Sequence, residues 1–234
     1  MITCSVCRTE NHPLTVICVR CGGYLQTRVD ALDLFATAWD IVERPFKAFH
    51  RISVAQHKNY VYFLSSIAGI GFAFLIFWLM KAGEYSDSLI NIIGAGFVIG
   101  PPFGVVFSML FSFIVWLTMK ASRIESSYKN IFAVSVYAFV PVVFSVVLIL
   151  PIELMTFGTY FFTINPSPYT LKPASYIILL GLDGLLSLWS LLLLVIGMKI
   201  LINGSWTRSI FVVVVSGILL TVIAAALIIR FVPS

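Results

Sequence analysis

SLINIIGAGFVIGPPFGVVFSMLFSFIVWLTM, residues 88–119, runs for 32 positions without one charged side chain. Water does not solvate such a run; a hydrocarbon core about 30 Å thick does, and about 20 apolar helical residues cross it. Four similar stretches flank it, at residues 59–80, 130–152, 173–198 and 209–229, the fourth stretch in chain order being interrupted only by Asp183. The chain therefore reads as an all-α integral membrane protein with five transmembrane helices. Its composition agrees. Of 234 residues 60% are hydrophobic and 11% charged, with a mean hydropathy of +1.02, whereas a soluble domain carries about 25% charged residues. A soluble enzyme is excluded.

Thirty-two helical residues would extend about 48 Å, too long for one straight crossing. Gly100-Pro101-Pro102 lies inside the run. Proline has no N–H and clashes with the preceding turn, so the tripeptide is expected to kink or break the second helix. Residues 103–119 then span, with 89–99 as an entry segment buried against the bundle; the alternative is one tilted, kinked helix. Broken helices line some transport sites, and packing geometry is the plainer reading.

Lys and Arg counts orient the spans. With the N-terminus inside, the cytoplasmic side holds twelve of them: Arg8, Arg20, Arg28, Arg44, Lys47, Arg51, Lys58, Lys120, Arg123, Lys129, Lys199 and Arg208. The outer side holds three, Lys81, Lys172 and Arg230. Five crossings leave the C-terminus outside. The first long apolar stretch begins near residue 59, so the first span is expected to act as an uncleaved signal and the head to stay in the cytoplasm.

All four cysteines precede residue 22: Cys4-x-x-Cys7, ten residues, then Cys18-x-x-Cys21. Two such knuckles form the tetrahedral four-thiolate pattern of a structural zinc site. Gly22-Gly23 permit the positive-φ turn that brings backbone N–H groups to the sulfurs. A head this small cannot build a sufficient core, and structural zinc contributes on the order of 10–16 kcal/mol in finger peptides. In a reducing cytoplasm disulfides do not persist. The cofactor expected is Zn2+, with Cys4, Cys7, Cys18 and Cys21 as its ligands and no open catalytic position. CSVC, Glu10-Asn11, Pro13 and CVRCGGYL resemble zinc-ribbon heads of prokaryotic membrane and regulatory proteins. Seven basic and five acidic residues in the first 58 leave +2, with no dense basic patch, so nucleic acid is set aside as a partner. A cytoplasmic protein partner is expected instead.

Between head and spans, Leu32, Phe35, Trp39, Val42, Phe46 and Phe49 step by 3, 4, 3, 4 and 3, a helical stripe. Pro45 is placed at the first position of a second helix. Aromatics on one face with Arg and Lys nearby suit helices lying in the membrane interface. The organisation read is a zinc ribbon over 1–28, amphipathic interfacial helices over 29–58 and a five-helix domain over 59–234.

The five-helix part resembles the Yip1-domain family. Trp39-Asp40-Ile41-Val42, Pro45 and Phe49 lead into the first span as in its prokaryotic members. Gly100-Pro101 sits at the family's Gly-Pro, and Ser135-Val136-Tyr137-Ala138 with Pro141 resembles its third-span signature. Trp189 and Gly197 fall in a fourth span of similar shape. The family's acidic residue before Gly-Pro is replaced by Val98-Ile99, and its aromatic-glycine-aromatic motif is reduced to Tyr137. In eukaryotes the resemblance implies organisation of vesicle traffic through small Rab-type GTPases. The zinc-ribbon head points to a prokaryotic member in the cytoplasmic membrane, where such GTPases are not the partner.

No catalytic grouping is present. His12, His50 and His57 lie in the cytoplasmic segment, the thiols are committed to metal, and phosphate-binding glycine loops are missing. Asp183 is the one carboxylate near mid-membrane, about 15 Å along its helix. Such a group costs about 2.5–3.5 kcal/mol on insertion scales and faces the bundle interior or a wet cavity. Ser187 and Ser190 lie on or near its face. Glu153 is read as an interface anchor ending the third span, Tyr137 and Pro141 as packing residues. Gly69, Gly71, Gly94, Gly96 and Gly104 are read as sites of close helix approach. The function expected is a non-catalytic membrane scaffold or adaptor whose head contacts protein. The alternative is a small transporter or channel using the kinked second span and Asp183. Self-association is left open.

Overall fold

A computed structural model describes every residue except 1, 5–6, 13–14, 17, 23–24, 26–31, 56, 87, 203 and 232–234; for 224–231 it describes backbone only. Gly23, Pro13 and residues 29–31, all part of the sequence reading, lie outside the described residues.

The head pairs two short antiparallel strands, β1 (Ile2–Thr3) and β2 (Glu10–Asn11), in the register Ile2 to Asn11 and Thr3 to Glu10. Two amphipathic helices follow, α1 (Leu34–Glu43) and α2 (Pro45–Val54). Asp33 caps α1, accepting a hydrogen bond from Ala36 N at 2.9 Å, which satisfies one of the free N–H groups of the first turn. The backbone leaves helical geometry at Arg44, φ −138° and ψ 63°, and Pro45 opens α2 as expected. Lys58 closes the other end of α2: Nζ donates to the carbonyls of Ile52 and Ser53.

The bundle comprises α3 (Val61–Leu79), α4 (Leu89–Ala121), α5 (Tyr128–Ala138), α6 (Val140–Phe144), a π turn at Ser145–Ile149, α7 (Leu150–Phe157), a 3-10 turn at Gly158–Phe162, α8 (Pro168–Leu171), α9 (Pro173–Ile202) and α10 (Trp206–Phe231). Five of its helical stretches are long and apolar enough to cross a membrane: Val61–Leu79, Leu89–Ala121, Val140–Phe162, Pro173–Ile202 and Trp206–Ile223.

Of the two readings of the second run, the single helix holds: α4 passes through Pro101 and Pro102 as one helix of 33 residues. The prolines withdraw donors from the carbonyls of Phe97 and Val98, a loss membrane helices tolerate. The tripeptide instead serves a helix crossing. A Cβ on Gly69 would sit 2.2 Å from Gly100 O, and one on Gly104 would sit 2.1 Å from Ser65 O, so α3 and α4 meet backbone to backbone. Gly94 was placed in the same role, but a Cβ there meets nothing within 4 Å among the described residues.

The third span is displaced. It covers Val140–Phe162, beyond the charge-free run at 130–152. Residues 131–138 are all buried, because α5 is surrounded by α2, α3, α4 and α9. It is the core of the molecule rather than a lipid-facing segment. Tyr137 O–H donates to Asn59 O at 2.7 Å, tying α5 to the entry of α3. Phe49 of α2, fully buried, lies beside Gly197 of α9, where a Cβ would approach its ring to 3.2 Å. The apolar stripe of the connecting segment is therefore divided. Leu32 and Phe49 are buried, while Phe35, Trp39, Val42 and Phe46 are exposed.

Candidate functional site

The four cysteines converge. Their Sγ atoms all lie within 4.8 Å of one another, with Cys4 to Cys21 at 3.6 Å and Cys7 to Cys18 at 3.5 Å. A tetrahedral ion with sulfur bonds of about 2.3 Å needs edges of about 3.8 Å, so the donor set fits such a metal. The two knuckles are built alike. Cys4 N donates to Thr9 O and Arg8 N to Cys4 O, and Gly22 N donates to Cys18 O. The residue after each second cysteine is left-handed: Arg8 at φ 56° and Gly22 at φ 70°.

Second-sphere groups favour thiolate. Backbone N–H groups of Cys21 and Arg20 hold the Cys18 thiol down at about 6, with Cys7 and Asn11 adding to the effect. Thr9, through its side chain and its backbone, lowers the Cys7 thiol. Buried Asn11 fixes the geometry. Its Nδ2 donates to Thr9 O at 2.8 Å and to Cys18 Sγ at 3.6 Å, and its Oδ1 accepts from Val19 N at 3.0 Å. In sequence Asn11 was only part of a resemblance; the ligand-orienting role depends on the β1–β2 register.

A second polar site lies inside the bundle. A cavity of about 360 Å³ is floored by α6, the π turn and α7 and walled by α3 and α9. Asp183, Ser187, Ser145, Glu153 and Trp78 line it. Ser145 Oγ donates to Asp183 Oδ1 at 2.5 Å, and the Glu153 carboxyl group lines the same cavity. Glu153 is not an interface anchor: only 3% of it is exposed. The charge-free run ends at Glu153 although this carboxyl group lies inside the bundle, facing the same cavity as Asp183 of α9. Ser190 is buried, lies outside the cavity, and its hydroxyl has no hydrogen-bond partner among the described residues. Asp183 and Ser187 thus come together with Ser145 and Glu153, and Ser190 does not join them. Among the described residues none of α4 lines the cavity, so the Gly100, Pro101 and Pro102 segment is no part of this site. Tyr137 is also absent from it, and Pro141 only precedes the floor.

The π turn explains why Ser145 and Glu153 act together. Eight residues of regular α-helix would leave them about 80° apart around the axis. A π turn accommodates one extra residue, here closed by Leu150 N donating to Ser145 O, and brings them to within about 20° of one face. Two carboxyl groups facing one cavity away from water can share a proton or hold a cation between them. The cavity opens between α3 and α9, where Leu75 and Leu180 are exposed.

These features define a polytopic helical membrane protein with a cysteine-rich metal-binding head. The chain matches the Yip1 domain over residues 39–228 and belongs to that family. No curated protein and no solved structure matches it.

Proposed function

We propose that this Yip1-family chain is a non-catalytic membrane scaffold or adaptor. Its cysteine head holds a structural zinc on the cytoplasmic side of a prokaryotic membrane and presents a contact surface to a protein partner. The observation that carries the reading is the head's exposed apolar surface: Val19, in the second knuckle, is 79% exposed and Val16 is 52% exposed. A module held together by four thiolates frees such side chains from core duty. The excess of Lys and Arg on the head side supports its cytoplasmic placement. The test is proximity labelling from the head of the full-length protein in its own membrane. Labelling of a defined protein set, lost in V16D/V19D and in C18S/C21S while the bundle stays inserted, supports the reading. An unchanged set sinks it, and labelling of the chain's own copies would assign the surface to self-association.

A second reading, a small transporter, is favoured by one observation, the cavity reaching Asp183 and Glu153. It lacks the second-span contribution first expected. Ion or proton flux in proteoliposomes that disappears in D183N and E153Q would establish it; no flux above empty liposomes would dismiss it.

A further inference from the structure

The α4–α5 connection and the start of α10 meet at the end of the bundle on which α2 packs. Phe46 of α2 stacks edge-on to Trp206 of α10 there, at 5.9 Å between ring centroids. A cleft of about 510 Å³ lies between the α4–α5 connection and α10, lined by Ser122, Arg123, Thr207, Arg208, Phe211 and Val212. A second depression of about 650 Å³ adjoins it, shares Arg123, and adds Lys120, Trp116 and Glu125.

Both arginines of the cleft sit where the local backbone disfavours them. Arg123 ends α4 in a Schellman motif: Arg123 N donates to Lys120 O and Ile124 N to Met119 O. It occupies the left-handed position at φ 58°, the place where glycine carries no Cβ clash and is the usual residue. Arg208 lies in the first turn of α10, which holds no acidic residue, and the positive end of the helix dipole repels a cation there. Neither arginine forms an ion pair among the described residues. Lys120 is turned onto Trp116, 4.9 Å from the ring centre. Two unpaired guanidinium groups, each in a locally unfavourable position, therefore line one cleft. An anion between them would compensate both, and the Ser122 and Thr207 hydroxyls and the α10 N-terminus would add donors to it.

The cleft continues into an apolar track. Phe211, Val214 and Ile218 are exposed on α10 at a spacing of three and then four residues, one face of the helix. A phosphate with an attached acyl chain matches both parts, whereas a free phosphate matches only the cleft. Glu125 lines the adjoining depression and confines an anion to the Arg208 side.

We propose that Arg123 and Arg208 form a binding site for the phosphate head group of an anionic phospholipid, with its acyl chain along Phe211, Val214 and Ile218. The test uses the full chain in nanodiscs of phosphatidylcholine alone or with phosphatidylglycerol. Retained lipid is read by native mass spectrometry after release and thermal unfolding in each disc. Wild type retains phosphatidylglycerol and unfolds at a higher temperature with it. In R123G/R208Q retention falls by on the order of tenfold, the loss of two cations acting near an anionic surface. In phosphatidylcholine alone R123G melts at or above wild type, since glycine relieves the left-handed strain. Unchanged retention in R123G/R208Q overturns the site. So does an R123G variant that melts below wild type in phosphatidylcholine, which would make Arg123 structural. An upward shift from inorganic phosphate alone in phosphatidylcholine discs, equal to that from phosphatidylglycerol, would assign the cleft to free phosphate and overturn the lipid.

Discussion

At the scale of single residues, the tightest constraint in the bundle is a glycine pair. Gly104 faces Ser65 O and Gly69 Cα at distances no Cβ can occupy, 2.1 and 2.4 Å. Backbone cannot yield as a side-chain end does, so G104A must separate α3 from α4 at a cost of about 1–3 kcal/mol. G94A, with open space around its Cβ, should change unfolding in detergent by less than about 0.5 kcal/mol; equal effects from the two would refute the crossing. Lys58 gives a pH signature. Burial, helped by nearby Lys129, lowers its ammonium to about 8, below the ordinary value of 10.5. The unfolded chain then binds more protons than the folded one between those values, so stability rises with pH across that window and is lowest below it. K58M should flatten that rise, measured by detergent unfolding between pH 7 and 10, a window set by those two values. The cysteine ligands were legible in sequence because their chemistry is local, two knuckles of fixed spacing. Glu153 was not, because Asp183 is 30 residues away and only the packing of α9 on α6 and the π turn brings the two to one cavity.

At the scale of elements, hydrophobic periodicity found the helices but not their faces. Phe35, Trp39, Val42 and Phe46 form one stripe with Leu32 and Phe49, yet only the two ends of the stripe, Leu32 and Phe49, enter the protein core while the four residues between them stay on the surface. At Pro101-Pro102 a broken and a continuous helix were both open, since proline's local cost is legible and the close α3 crossing that uses it is tertiary. The π turn carries a prediction of its own. Because it aligns Ser145 with Glu153 beneath Asp183, the three side chains line one polar cavity, with Ser145 hydrogen-bonded to Asp183. D183N keeps an acceptor for Ser145 Oγ, so its unfolding free energy should stay within about 1 kcal/mol of wild type. D183L leaves Ser145 Oγ unsatisfied in a buried setting and should cost about 1–3 kcal/mol. Chemical unfolding in mild detergent measures both. If asparagine costs as much as leucine, the carboxylate's charge matters and not its hydrogen bonds.

At the scale of the whole molecule, we propose that the charge asymmetry marks two modules with different sources of stability. The bundle is held by extensive apolar packing: residues 131–138 of α5 are all buried, and Ser216 Oγ donates to Thr118 Oγ1 at 3.2 Å between α10 and α4. The head's hydrogen bonds among the described residues stay within it, as in Leu25 N to Val16 O at 3.0 Å and Asn11 Oδ1 from Val19 N at 3.0 Å. A strand pair two residues long on each side cannot support itself in water. Its stability must come from the four-thiolate site, which in small finger peptides supplies on the order of 10–16 kcal/mol. Removing the metal should therefore unfold the head alone. A strong chelator applied under reducing conditions should expose residues before 25 to protease, and C18S/C21S should do the same without chelator. The thermal transition of the bundle, followed by helical circular dichroism, should not move in either case, because the sulfur contacts between described residues lie within the head. A bundle transition that falls together with metal loss would show that head and spans fold as one unit, and that the head is a structural part of the bundle and not a separate contact module.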